Sequence, residues 1–439
     1  MIKTLLKSVR QYKKQTLLSP VFVAGEVILE CMIPLVMSRM IDRMSAESIS
    51  PIIKYGVILL IMATVSLGFG VLSARNAAEA SCGFAKNLRQ DMYFKIQDFA
   101  FADIDKFSAS SLVTRMTTDV TNVQNAYQLL IRLAVRTPLM ILFSVIMAMT
   151  INPKMAMIFL CILPILAAVL FGIAMHVHPI FKRIFKKYDA LNNSVQENVA
   201  GIRVVKSFVR EDHEIQKFSG ISEDIYRDFS RAEKRLAFNM PLMQVCVYSC
   251  MLVVSWLGAH LVVSSQLTTG ELTSMFSYIM MILMSLMMLS MVLVMIILSR
   301  ASAERITELL NEESDLQNGP NPVEVVRDGS VTFENVSFSY AGDPEKECLK
   351  NVSLEIRSGE TVGILGGTGT SKSTLVQLIP RLYDATEGRV LVGGVDVRDY
   401  DMEALREQVA MVLQKNVLFS GTIKENLRWG KEDATDEEL

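Results

Sequence analysis

The run GGTGTSKST, residues 366–374, gathers small and hydroxylated residues around one lysine. It follows the apolar TVGIL and precedes LVQLIPRLY, an order that reads as strand, glycine-rich loop and helix. In that setting backbone N–H groups of the loop and the helix start converge on phosphate. Lys372 reaches the β and γ phosphates of a nucleoside triphosphate, and the Ser373 hydroxyl can ligate magnesium. Gly366, Thr368, Gly369, Thr370, Ser371, Lys372, Ser373 and Thr374 are therefore candidates for holding ATP with Mg2+. One position departs from the pattern. The residue before the lysine, where glycine lets the backbone approach phosphate, is Ser371. A Cβ there costs about 1–3 kcal/mol if the strained conformation is kept, which is roughly tenfold to hundredfold in affinity. The alternative is a relaxed loop in which the new hydroxyl replaces a contact.

A second set of reactive groups lies in apolar sequence. Glu26 and Glu30 are one helical turn apart and share a face. Ionisable groups at membrane depth face a cavity or a partner, so the pair reads either as a site for cationic groups on a substrate or as a structural pair bonded to neighbouring helices. Arg132 and Arg136 are also one turn apart, at the cytoplasmic start of an apolar stretch, and are expected to snorkel toward water. The methionine-rich MMILMSLMMLSMVLVM, residues 280–295, suits an adaptable lining for apolar ligands or a lipid-facing filler.

The elements that must position these groups follow from composition. The chain has 439 residues, 51% of them hydrophobic, and a net charge of -2, so no basic excess asks for nucleic acid. Six cysteines without CxxC spacing give neither a disulfide framework nor a zinc site. MIKTLLKSVRQYKK spaces Ile2, Leu5, Leu6 and Val9 as one helical face among basic residues, which predicts a helix lying on the membrane surface over 1–16. Six stretches then reach the ~20 residues that cross a hydrocarbon layer, namely 18–41, 52–74, 129–151, 155–177, 240–264 and 272–298. Lysine and arginine crowd the N-terminus and the long connections 75–128 and 178–239, which places both termini in the cytoplasm of a multi-pass cell-membrane protein. After the breaker NGPNP at 318–322 the pattern turns to short β-branched runs, VTFENVSFSY, VSLEI, TVGIL, RVLVGG and VAMVL, alternating with helices, as in an α/β domain with a parallel core.

Several further segments carry a family resemblance. FENVSFSY ends at Tyr340, VAMVLQKNVLFSGTIKENL contains Gln414, and RMTTDV, ENVAGIRVVKSFVRE and ASAERI occupy the long connections and the end of the last span. Together with the phosphate loop, the chain resembles an ATP-binding cassette exporter of the half-transporter type. The resemblance implies a mainly α fold, with a six-helix transmembrane domain and long cytoplasmic helical arms followed by a partial α/β nucleotide-binding domain. Its divisions would be an elbow helix at 1–16, the membrane domain at 17–317, a linker at 318–330 and the cassette part at 331–439. It implies that Tyr340 stacks on adenine, that Gln414 approaches magnesium and the attacking water, and that coupling helices lie near 107–112 and 207–214. The partners implied are membrane lipid, a second half-transporter of the same or another kind, and small amphipathic or drug-like cargo moved outward. The family's signature sequence, an apolar strand ending in Asp-Glu and a switch histidine are not found after the loop, and His176, His178, His213 and His260 all precede the cassette. No complete catalytic set is expected within these residues. The alternative implied is a degenerate or truncated membrane subunit that binds ATP weakly and does not hydrolyse it alone.

Overall fold

The computed structural model describes residues 1–44, 49–314, 316–340, 342–412 and 417–439, and within 162–193 and 236–243 it describes the helices but only part of the side chains. Two compact units emerge, Met1–Asp91 with Arg115–Glu308, and Met92–Thr114 with Leu309–Leu439.

The first unit is built from long helices. They are α2 (Lys13–Arg43), α3 (Ser50–Gln97), α6 (Val120–Ile151), α7 (Pro153–Ala200), α10 (Asn239–Val263) and α11 (Thr269–Asn311), with the short α1 (Ile2–Lys7) ahead of them. At 1.5 Å per residue, α3 with its 48 residues extends about 72 Å, more than twice the hydrocarbon thickness. The same helix is therefore long enough to cross a membrane and to extend well beyond it. Among the described residues, five helices are long and apolar enough to span a membrane. The expected fourth span, 155–177, lies on α7, whose side chains are only partly described.

Packing explains why these helices stay together. Val23, Val27 and Cys31 of α2 bury against Met140 of α6. Ala148, Met155, Val254, Met275, Tyr278 and Ile279 form a second apolar cluster joining α6, α7, α10 and α11. Polar groups within it are satisfied locally, since the Tyr278 hydroxyl donates to Cys31 O at 2.8 Å and Ser274 Oγ to Pro34 O at 2.7 Å.

The surface helix expected over 1–16 is interrupted. α1 ends at Lys7 and Arg10 takes a left-handed φ of 39° before α2 begins. The reason is visible in α3, where Asp91 accepts Ser8 Oγ at 2.6 Å and pairs with Arg10 at 2.5 Å. Leu5 and Val9 are buried while Ile2 and Leu6 stay exposed, so the predicted apolar face is split.

Neither stretch expected as a coupling helix is one continuous helix. In place of a helix at 107–112, α4 (Phe101–Phe107) and α5 (Ala109–Thr114) meet at Ser108, whose φ is 55°. In place of one at 207–214, α8 (Ile202–Ser207) ends in a turn with Val209 at φ 49°, and α9 (Glu211–Leu236) follows. Left-handed residues break a helix, so each connection turns where one stands.

The second unit contains a four-stranded sheet of β1 (Val331–Phe338), β2 (Leu349–Ile356), β3 (Glu387–Val392) and β4 (Val395–Asp396), in the order β2-β1-β3-β4. All its ladders are antiparallel, with Val331 opposite both Ile356 and Val392. The expected parallel core is corrected accordingly. TVGIL at 361–365 and the described part of VAMVL at 409–413 have strand composition but no ladder. A strand is defined by a partner at its edge, and among the described residues neither segment pairs with β2 or β4, the edge strands of this sheet. Phe333, Val336, Val390, Val392, Tyr400 and Leu405 form the core beneath the sheet. Residues 318–330, expected as a linker, are tied to this unit by Val323, which donates to Asp399 O at 2.8 Å and accepts from Asp401 N at 3.0 Å.

Candidate functional site

The phosphate loop leads into α12 (Lys372–Gln377). Ser371 caps that helix with φ 58° and ψ 23°, and Gly369 stands at φ 84°. The serine thus adopts the left-handed conformation that glycine would take, at a cost of about 1–2 kcal/mol. Lys372 Nζ donates to Gly366 O at 2.9 Å and Gly367 O at 2.6 Å, and the Thr370 hydroxyl donates to Gly367 O at 3.0 Å. The ammonium is folded onto its own loop, and among the described residues its partners are all neutral acceptors. Ser373 is exposed, and Thr374 is buried with its hydroxyl 3.0 Å from that of Tyr340. The helix expected through LVQLIPRLY stops at Gln377. Pro380 disfavours helix at the residue before it, and Arg381 follows at φ 51°.

Tyr340 sits at the edge of an aromatic group. Its hydroxyl donates to Gln377 Oε1 at 3.2 Å, and its ring meets Phe338 and Tyr383 edge-on at 4.8 and 5.2 Å between centroids. It remains 55% exposed, which leaves ring surface for a base to stack on. Tyr383 extends the group to α4, donating to Asp105 Oδ2 at 2.7 Å and touching Phe101 at 6.1 Å. Burial, and then the adjoining Asp105 carboxylate, push the Tyr383 phenol well above its ordinary range, so it stays a neutral donor. Gln414 lies outside the described residues. The groups that are described fit a Mg-nucleotide. Lys372 can exchange carbonyls for phosphate oxygens, Ser373 is exposed at the helix start, and Tyr340 offers a ring.

In the first unit the sequence-selected carboxylates meet an arginine. Arg136, near the middle of α6, pairs with Glu26 through Nη1 and reaches both oxygens of Glu30 through Nη2 at 2.9 and 2.8 Å. The expectation that Arg136 snorkels is corrected. Two carboxylates at membrane depth hold it by charge-assisted hydrogen bonds, which outweigh a reach toward water. Glu26 is buried and Glu30 half-buried, and only Glu30 lines the adjacent cavity of about 700 Å3, with Arg132, Arg136 and several methionines of α11. Part of the methionine-rich run therefore faces a cavity.

A third cluster unites two of the resemblance-bearing segments. Asp119 of RMTTDV is fully buried and receives Arg305 of ASAERI through Nε at 2.8 Å and Nη2 at 2.5 Å. Arg115 pairs with Glu308 at 2.9 Å and donates to Arg305 O at 2.7 Å, and Asn122 donates to Ser302 Oγ at 3.1 Å. In the other long connection, Glu197 pairs with Lys217 at 3.0 Å and Asn198 donates to Glu214 at 3.0 Å, clasping α7 to α9. Tyr383, Asp105 and the pairing of Arg136 were missed by the sequence reading. The last had a signal, because opposite charges at similar depth in two spans need each other.

Comparison with known families decides the identity. The ABC transporter transmembrane region matches residues 16–287, and the ABC transporter family matches residues 349–439. The chain belongs to the ABC transporters. This transporter is 32% identical over 415 residues to the uncharacterized ABC transporter ATP-binding protein YfiB of Bacillus subtilis (strain 168), covering 94% of this chain and 72% of that protein. It is 31% identical over 277 residues, 63% of the chain, to the probable multidrug resistance ABC transporter ATP-binding/permease protein YheI of the same organism, and spans 47% of that protein. The multidrug efflux ATP-binding/permease protein of Mycobacterium bovis (strain BCG / Pasteur 1173P2) is 28% identical over 422 residues, which are 95% of the chain and 34% of that protein. The transporter is thus a multi-pass membrane protein of an ATP-driven export family with an ATP-binding cassette region.

Proposed function

We propose that the chain is a half-transporter subunit that pairs with a second ABC subunit, identical or different, and moves small amphipathic molecules outward across the cell membrane with Mg-ATP. Its termini lie in the cytoplasm. The observation that carries this reading is the contact of α4 with the cassette region, where Tyr383 of the adenine-side aromatic group donates to Asp105 at 2.7 Å. That contact supports the reading because the segment that follows α3 in the chain lies beside the ring expected to stack on nucleotide, an arrangement a coupled pump would use. Tyr340, Lys372, Ser373 and Gln414 would hold the nucleotide, with Ser373 and Gln414 toward magnesium. When bound, Mg-ATP supplies the phosphoryl chemistry; Lys372 binds and orients the phosphates and Tyr340 fixes the base. The multidrug names of two relatives support amphipathic cargo.

Inside-out vesicles from cells expressing the chain with a full-length ABC partner provide the test. Uptake of a fluorescent amphipath is expected to require ATP and to disappear with Lys372→Ala. Uptake indifferent to both would overturn the reading. A second reading, a subunit that binds nucleotide weakly and leaves hydrolysis to its partner, is favoured by the left-handed Ser371. It requires that the pair keep ATP-driven uptake when Lys372 alone is removed.

A further inference from the structure

We propose that the cavity walled by α2, α6 and α11 binds amphipathic molecules through an acidic head group, with Arg132 as its anchor. This deepens the exporter reading and rests on it. The cavity, about 700 Å3, lies within the range that encloses a drug-sized molecule. Met140, Met280, Met281, Met284 and Met288 give it soft, adaptable walls suited to varied apolar bodies.

Its charged groups decide the head. Glu30 spends both oxygens on Arg136, and Arg136 spends its other terminal nitrogen on Glu26. Glu26 keeps one oxygen without a partner, but that atom is buried and Glu26 is not on the cavity wall. The Ser285 hydroxyl donates to Met281 O at 2.7 Å. Arg132 stands one turn before Arg136 on the same face, half-buried on the wall, and has no hydrogen bond or ion pair among the described residues. The wall therefore presents an unspent guanidinium and carboxylates already in use. A guanidinium has five donors and no acceptor, in a fork that matches carboxylate, sulfonate or phosphate. A cationic head would meet Arg132 at close range and find the Glu30 oxygens occupied. The residues first selected for cationic cargo thus serve the cavity by fixing Arg136, and the free donor selects anions.

Three fluorescent probes sharing one apolar body, pyrenebutyrate, pyrenebutanol and pyrenebutylamine, test this. The full chain is placed in nanodiscs of zwitterionic lipid, and binding is read against empty nanodiscs. The butyrate is expected to bind about tenfold tighter than the butanol, as a charge-assisted contact allows. Arg132→Gln should erase that difference while Arg132→Lys retains most of it, with thermal melting confirming that both variants fold. A butyrate no tighter than the butanol, an amine that binds best, or an acid preference that survives Arg132→Gln would overturn the proposal. ATP-dependent vesicle uptake of the amine with no acid preference would overturn the anion assignment and leave the exporter reading standing.

Discussion

Lys372 on the phosphate loop and Arg136 in the membrane unit both direct their N–H groups at oxygens of the same chain, but the partners differ in kind. Lys372 rests on neutral carbonyls of its own exposed loop, six and five residues before it. Arg136 joins two carboxylates from another helix, more than a hundred residues away and largely removed from solvent. Carbonyls are easily traded for a phosphate, which carries more charge, whereas a buried carboxylate released from its cation has nowhere to go. The kind of partner therefore separates a cation free to exchange its acceptors from one fixed as part of the scaffold. Arg132, with its donors unspent, belongs with the first kind.

The comparison can be broken most strongly at Arg136. Arg136→Gln leaves two carboxylates uncompensated and is expected to cost about 3–5 kcal/mol, seen as a large fall in melting temperature in detergent. Adding Glu26→Gln and Glu30→Gln should recover more than half of it. If the triple variant melts with the single one, the triad is not the scaffold described. Asp119→Ala removes the buried acceptor of Arg305 and should cost about 2 kcal/mol, again by melting. An unchanged transition there would assign the clasp to surface chemistry.

At the loop the effect is on affinity. Ser371→Gly relieves a left-handed serine and should tighten a fluorescent Mg-ATP analogue about tenfold; affinities within twofold would mean that serine is accommodated without strain. Smallest is Tyr383→Phe, which deletes the bond to Asp105. Amide exchange over 101–107 is expected to quicken about fivefold, the equivalent of ~1 kcal/mol. Because the Tyr383 pKa is raised, the neutral phenol's contribution is complete below the ordinary tyrosine value of about 10 and is lost as pH climbs past it toward the folded-state value. The alkaline loss of protection at 101–107 should therefore be absent from the phenylalanine variant.

The membrane helices and the phosphate loop were legible because both are local. An apolar run of twenty residues announces a span, and the motif around Lys372 marks the position before it as one where glycine is usual, so the strain at Ser371 follows from spacing and not from residue type. Ser371 stands in the left-handed region that glycine would have relieved. Turns at Ser108 and Val209 were illegible, since no motif around either marks a positive φ, and both fall within the stretches expected as coupling helices. Strand pairing is a contact between distant segments, so TVGIL carried the composition of a strand without the partner that makes one. The Arg136 triad joins positions 26, 30 and 136, and only depth in a membrane relates them.

Gly70 of α3 lies against Glu26, where a methyl group would come within 3.1 Å of the carboxylate oxygen. Scored by helix propensity alone, alanine at 70 is an improvement of roughly 0.5–1 kcal/mol. Here it would press on the carboxylate that steadies Arg136. Variation at one uncharged position of a third helix would thus act on the carboxylate that holds Arg136, and an innocuous substitution in a population or a design library could disturb the wall of the chamber without touching a single chamber-lining residue.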